Sequence, residues 1–340
     1  MNPGAAAPLV RVDRLSKHFT SGSAFTSRRI LRAVDDVSFE IAAGETLGLV
    51  GESGSGKSTL GRMIIGLTAP SAGNVIVADQ PVAGARRSAA LWRTTQMVFQ
   101  DPYASLNPKM TVAMALREPL RNFAIATGAA AERRVREVLD ACGLPQSAAS
   151  RYPREFSGGQ RQRIGIARAL IVDPLFIVAD EPVSALDVSI QAQIINLLLD
   201  LKRDRGLTYL FIAHDLAVVR QVSDCIAVMY AGRVVEIGPA RDIYRQPAHP
   251  YTQLLLRSVP IPDPAMERAR RDARAVVPAR PEVSADAGCA FAARCPTAQF
   301  PRCGAERPPL AQFPDGRMAA CHFPEIVTPS PALLREAAMS

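Results

Sequence analysis

No stretch of the 340-residue chain reaches the roughly 18 consecutive apolar residues of a membrane-crossing helix. With mean hydropathy at only +0.06, no membrane span is expected. The opening octet, Met1-Asn2-Pro3-Gly4-Ala5-Ala6-Ala7-Pro8, lacks the basic and long apolar regions of a secretory signal. No internal repeat suggests a solenoid or a duplicated main domain. Close Cys-x-x-Cys pairs are also missing, which argues against the common zinc ribbons.

What is present suits a well-cored domain: 48% of residues are apolar and 21% charged. The length allows one large domain with an appendage, or two modest domains. Forty Lys and Arg against 32 Asp and Glu give a net charge of +8. That balance suits nucleotides, anionic lipid or nucleic acid, and equally a solvated basic surface. Of the six cysteines, Cys142 and Cys225 stand apart and read as buried apolar thiols. Cys289, Cys295, Cys303 and Cys321 cluster near the end. Without an export signal a reducing compartment is expected, where metal binding competes with disulfides.

Along the chain, Leu9–Val12 reads as a short strand, Thr20–Arg29 as a loop, and Ala33–Ile41 as a half-buried strand. Thr46–Val50 is a compact apolar run, read as a buried strand, and Thr59–Leu67 as a helix. Further strands are expected at Gln96–Phe99, Leu175–Ala179, Thr208–Ala213 and Ile226–Met229. Helical pattern fills Thr111 to about Cys142 and Ile190–Leu201. Strands alternating with helices imply an α/β fold with a mainly parallel sheet covered on both faces. Beyond Val259 the texture turns rich in Pro, Arg and Ala. Residues 261–284 read as a linker and 285–330 as a Cys-containing extension.

Gly51-Glu52-Ser53-Gly54-Ser55-Gly56-Lys57-Ser58 fits G-x-x-x-x-G-K-[ST] between an expected strand and an expected helix. Glycines let the backbone curl its N–H groups onto phosphate oxygens, and the helix N-terminus, entered at Thr59, adds positive potential. Lys57 brings a cation to the outer phosphates and Ser58 a hydroxyl for Mg²⁺. A chance Gly/Ser loop is disfavoured by the flanks. Farther on, an apolar strand ends in Asp180-Glu181, at the strand edge where ligands of such sheets bind. Asp180 is placed to hold Mg²⁺ through water, and Glu181 to polarise an attacking water. Alone, the pair would read as two acids at a turn before Pro182.

Phe156-Ser157-Gly158-Gly159-Gln160 precedes another helical stretch, so Ser157 and the glycine N–H groups form a second anion cradle. This segment, in its order relative to the other motifs, resembles the ABC ATPase signature L-S-G-G-Q, with Phe156 in place of leucine. The resemblance spans roughly residues 8–260. It implies a P-loop NTPase core with an antiparallel β subdomain and an α-helical signature subdomain at about 101–168. It also implies that two chains sandwich ATP and Mg²⁺, with the signature of one facing the nucleotide of the other. On matching positions, Gln100 links nucleotide state to membrane subunits and joins Ser58 and Asp180 at Mg²⁺. Ser184-Ala185-Leu186-Asp187 crosses the dimer interface, with Asp187 counted at the nucleotide site. His214 is the switch histidine, acting with Glu181 and Lys57 in hydrolysis, and Phe19 stacks on adenine.

Closer still, Val98–Pro108, Pro247–Pro260 and the segments around Cys289 and Cys295 resemble the oligopeptide, dipeptide and nickel importer ATPases. The likeness is to the second of their two paired ATPases. It implies a non-identical ATPase partner, two permease subunits and an extracytoplasmic solute-binding protein. The location implied is peripheral, on the cytoplasmic face of the inner membrane, with no nucleic-acid partner. It further implies a [4Fe–4S] cluster on Cys289, Cys295, Cys303 and Cys321, against the alternatives of zinc or four reduced thiols. Rival functions are a soluble ABC ATPase acting on nucleic acid or ribosomes, which the net charge permits, and an importer of nickel or another small solute. A non-catalytic nucleotide-binding subunit is disfavoured by Lys57, Asp180, Glu181 and His214 occurring together.

Overall fold

The computed structural model describes residues 8–21, 29–82, 89–101, 105–184, 186–258, 287–314 and 316–324. The linker expected at 261–284 lies outside them, as does Ala185.

Two long strands open the chain, β1 (Pro8–Ser21) and β2 (Arg29–Ala42), paired antiparallel as a bent ribbon with register shifts between Val12 and His18. β3 (Thr46–Val50) leads into helix α1 (Lys57–Ile64). Next come β4 (Ala72–Val77), β5 (Gln80–Pro81), α2 (Ala89–Thr94) and β6 (Thr95–Val98). Helices α3 (Val112–Asn122), α4 (Gly128–Ala141) and α5 (Gly158–Leu170) follow. The αβ pattern then resumes with β7 (Phe176–Asp180), α6 (Val188–Arg205), β8 (Thr208–Ala213), α7 (Leu216–Val222), β9 (Cys225–Tyr230) and β10 (Arg233–Pro239). Short elements finish the chain: α8 (Ala240–Arg245), α9 (Pro250–Ser258), α10 (Arg302–Ala305), β11 (Ala311–Gln312) and β12 (Met318–Ala319).

The strands form two sheets. One is four-stranded and antiparallel, in the order β2-β1-β4-β5; the other is eight-stranded, in the order β11-β12-β10-β9-β3-β8-β7-β6. From β9 to β6 the larger sheet is parallel, and β10, β12 and β11 add an antiparallel edge.

Alternation along the buried strands builds a core on each face. Tyr209 and Phe211 of β8, with Ile177 of β7, pack beneath the helical layer of Leu116, Leu139, Ile164 and Leu198. Leu210, Ile212 and Val178 face the other way, onto Leu60 and Ile64 of α1 and onto Val10, Val12 and Ile41 of the antiparallel sheet. Each such side chain contributes about 1.5–3 kcal/mol on burial, so the parallel strands hold the loops at their carboxyl ends rigidly.

The last strand ties the C-terminal extension to the main sheet. Met318 and Ala319 pair with Ile237 and Glu236 of β10, so the extension completes the main sheet after a gap in sequence. Arg317 is fully buried beside it and donates to the Gln246 carbonyl.

Candidate functional site

Four adjacent parallel strands, β3, β8, β7 and β6, carry the site on the loops at their carboxyl ends. β3 delivers Gly51–Ser58, β7 delivers Asp180 and Glu181, β8 delivers His214, and β6 is followed by Gln100. These loops and the antiparallel sheet border a cleft of about 1140 Å³, whose lining includes Phe19, Ser53, Gly54, Gly56, Lys57, Ser58, Thr59, Gln100, Glu181 and His214.

The phosphate loop has the conformation its glycines allow. Gly56, preceding α1, sits at φ +104°, and a Cβ there would lie 2.0 Å from the Ala33 carbonyl oxygen. Lys57 is buried, and its ammonium donates to the carbonyls of Gly51 at 2.7 Å and Glu52 at 2.9 Å. Burial lowers its pKa, while Glu181, Asp180 and Glu52 push back. Ser58 Oγ donates to Asp180 Oδ1 at 2.8 Å. Burial raises the Asp180 pKa and that hydrogen bond opposes it. An all-oxygen set of a carboxylate, a hydroxyl and a nearby carboxamide is what a hard cation such as Mg²⁺ takes, so the residues present fit that ion.

Glu181 stands one residue past the strand at φ +47°, a left-handed conformation uncommon for a non-glycine residue. Its amide donates to the Ile212 carbonyl at 2.9 Å, tying it to β8. Its Oε2 accepts from Gln100 Nε2 at 3.0 Å and lies 3.5 Å from His214 Nδ1. The carboxylate is well covered, with its side chain 16% exposed, whereas the His214 ring is 58% exposed and open to the cleft.

Ser157 and Asp187 lie outside this lining. Ser157 caps α5, with Gln160 N–H donating to its Oγ at 3.3 Å and its own N–H donating to Gln160 Oε1 at 3.1 Å. Ser157, Gly158 and Gln160 are exposed, so the start of α5 is presented to solvent. Gly159 is buried, and a Cβ on it would meet Ile190 Cγ2 at 2.5 Å, so glycine there lets α5 approach α6. Phe156 is buried under the Arg151 guanidinium, where a large apolar side chain is what the position asks for. Asp187 caps α6, accepting from Ile190 N–H at 2.9 Å.

Phe19 is 43% exposed at the cleft rim, with the Lys17 ammonium 5.2 Å from its ring centre. Cys142 is buried and its pKa is pushed up to about 12 by burial, as expected of a structural thiol; Cys225 is half-buried. Cys289, Cys295, Cys303 and Cys321 are free thiols that share the lining of one void of about 10 Å³, room for a single water. Among the described residues no group of three or more His, Cys, Asp or Glu is arranged to hold a metal ion. As they stand, the four thiols are not arranged as ligands of the iron–sulfur cluster that the resemblance implies.

Sequence reasoning passed over two features of the cleft wall and one contact behind the phosphate loop. Asp35 and Arg233 pair at 2.6 Å on its wall. Ala290, from the extension, also lines it. Arg294 grips the Glu52 carboxylate of the phosphate loop at 2.8 Å. The acid inside the phosphate loop was the one visible signal; its partner lies too far along the chain for any local pattern to reveal.

A family model for the ABC transporter matches residues 34–184, and one for the oligopeptide/dipeptide transporter C-terminal region matches residues 235–303. The oligopeptide transport ATP-binding protein OppF of Bacillus subtilis is 54% identical over 77% of this chain and 86% of its own. The chain belongs to the ABC transporter ATP-binding family. A relative from Sinorhizobium fredii described as "Probable peptide ABC transporter ATP-binding protein y4tS" is 48% identical over 92% of this chain and 89% of its own. The dimeric ATP-binding cassette MJ0796 in a post-hydrolysis state with ADP and Pi is 30% identical, with a TM-score of 0.61 over 68% of this chain and 99% of its own. The cbiO1 protein of Clostridium perfringens, part of the cbiONQ transporter complex, shares the fold, with a TM-score of 0.63 over 78% of this chain and 99% of its own. This ABC ATPase is thus an ATP-binding and ATP-hydrolysing transporter subunit, as its sequence led us to expect. Among its described residues no helix is long and apolar enough to cross a membrane.

Proposed function

We propose that this ATPase drives uptake of dipeptides or oligopeptides through a membrane importer. It works beside a second, non-identical ATPase, two permease subunits and an extracytoplasmic solute-binding protein, at the cytoplasmic face of the inner membrane. The peptide reading is supported by the relatives' names and by the match of the C-terminal region. The catalytic reading is carried by one observation. Gln100, Glu181 and His214 converge from three strand ends on the phosphate-loop cleft, while the Ser157 cradle of the same chain is exposed and lies outside the lining of that cleft.

On this reading, ATP lies in the cleft with its phosphates on the N–H groups of Gly51 and of Ser53 to Thr59, and its base against Phe19. Lys57 leaves its carbonyl partners for the outer phosphates. Ser58, Asp180 and Gln100 would hold Mg²⁺, which would neutralise phosphate charge. Glu181 orients and polarises the attacking water, and the exposed His214 reaches the γ-phosphate side. The partner ATPase supplies its own signature helix to this nucleotide, and Ser157–Gln160 of this chain serve the partner's nucleotide, with Asp187 near the junction. Residues 8–260 form the nucleotide-binding domain, 101–168 its helical arm toward the permease, and 285–330 the extension.

The test is purification from membranes followed by identification of the companion subunits and of the solute on the binding protein. Peptides on that protein support the reading; another solute or co-purifying nucleic acid sinks it. Iron and sulfide analysis after anaerobic purification decides the cluster.

A further inference from the structure

Glu52, second residue of the phosphate loop, is fixed at its amide, its carbonyl and its carboxylate by three parts of the chain. Its amide donates to the Tyr251 hydroxyl at 2.9 Å. Its carbonyl accepts from Lys57 Nζ at 2.9 Å. Its carboxylate accepts from both arms of the Arg294 guanidinium, each at 2.8 Å, across 242 positions of sequence. Two parallel charge-assisted hydrogen bonds of this kind fix orientation as well as distance.

Arg294 is itself held in place. Its guanidinium lies 5.8 Å from the Tyr230 ring centre and 5.9 Å from that of Phe291. Phe291 is buried against Tyr230 at 5.2 Å and Tyr251 at 5.4 Å, so the ring that carries the Glu52 contact and the residues flanking Arg294 form one cluster. Ala290 of the same segment reaches the cleft wall.

We propose that Arg294 is a positioning residue of the nucleotide site: it cancels the charge of the one carboxylate in the phosphate loop and pins the first turn of that loop. The proposal rests on reading the cleft as the ATP site. Phosphate loops attract polyanions through N–H groups and a cation, and an uncompensated acid within the loop opposes that attraction. Glu52 is close enough to interact electrostatically with Lys57, the cation meant for the phosphates. With Arg294 in place the acid is neutralised outside the cleft lining, and Lys57 is left to the nucleotide. The C-terminal extension thereby becomes a working part of the ATP site.

Charge cancellation and simple fastening predict different patterns. If Arg294 only fastened the extension, Arg294→Ala and Glu52→Gln would weaken nucleotide binding alike. If it cancels charge, Arg294→Ala strands the carboxylate and Glu52→Gln removes the problem. Mg-ATP binding to the full-length chain is measured by competition against a fluorescent ATP analogue, with thermal unfolding of each nucleotide-free variant as a check on folding. For Arg294→Ala we expect about fivefold weaker binding at low salt, the upper end for a half-exposed ion pair, fading as salt rises. Glu52→Gln binds at least as well as wild type, and the double variant Arg294→Ala with Glu52→Gln returns to within about twofold of it. In the assembled transporter, Arg294→Ala raises KM for ATP with kcat little changed. Wild-type affinity in Arg294→Ala, or a double variant as weak as that single one, overturns the proposal. Arg294→Lys, which keeps the charge, gives intermediate binding and covers the case in which alanine there impairs folding. A wild-type chain that binds no ATP would instead sink the underlying reading of the cleft.

Discussion

Gln100 and Glu181 are joined by a 3.0 Å hydrogen bond between neighbouring parallel strands β6 and β7, and the same Glu181 oxygen faces His214 at 3.5 Å. Any shift of the segment after β6 therefore acts directly on the carboxylate proposed to handle water. β7 ends at Asp180, and Glu181 turns into a left-handed conformation where these contacts form.

Glu181→Gln keeps the size and the position of the side chain while removing its charge. Turnover in the assembled transporter should fall about 10²- to 10⁴-fold, with Mg-ATP affinity of the chain unchanged. Single-turnover hydrolysis and equilibrium binding, measured on the same preparation, check both halves.

Gly158→Asp places a carboxylate at the exposed start of α5, where a partner's nucleotide is proposed to dock. Binding of Mg-ATP to the isolated chain should be unaffected, because that residue lies outside its own cleft. Transporter turnover should drop by at least 10²-fold through loss of transition-state contacts. Normal turnover in this variant would remove the two-chain clamp.

His249 reports on acid stability. Burial holds its pKa down at about 4, against an ordinary 6.5, while its Nδ1 accepts from the Tyr251 amide at 3.0 Å. A histidine depressed in the folded state stays neutral there while the unfolded chain takes up a proton. Its stabilising share is thus complete above pH 6.5 and is lost as pH falls toward 4, by on the order of 3 kcal/mol. Glu236, buried beside it with a raised pKa, acts in the opposite sense. The diagnostic is therefore the difference between wild type and His249→Gln in Tm across pH 7 to 4.5, which should narrow on acidification.

Phe291→Ala should cost about 3–5 kcal/mol, the usual range for emptying a buried aromatic site. It also loosens the cluster under Arg294 and Tyr251. Urea unfolding gives the stability, and limited proteolysis should show earlier cleavage within 287–324 than in wild type.

Legibility in the sequence tracked burial. Thr46–Val50 and Thr208–Ala213 were read with the bounds they have, because strands covered on both faces are plain apolar runs. The apolar pattern marks only Leu9–Val12, whereas β1 continues to Ser21, its alternation blurred by register shifts. The helical stretch from Thr111 to Cys142 is two helices, broken at Phe123–Thr127. β4, β10 and β12 have no clear signal in the sequence; β4 is open to solvent over its first half, and β12 is two residues long with its pairing partner in a distant part of the chain. The nucleotide loops were readable because each is a short motif at a strand end. The contact of Glu52 with Arg294 was not, since nothing local marks two surface charges as partners.

The two-residue strand β12 has a practical side. A truncated version stopping near residue 258 would retain every motif named for catalysis and still strip the cover from Glu236 and Ile237, baring backbone donors and acceptors along a hydrophobic border. Such a fragment would be expected to clump through that raw margin, and poor behaviour of a shortened ATPase would then speak of a missing hem rather than a broken engine.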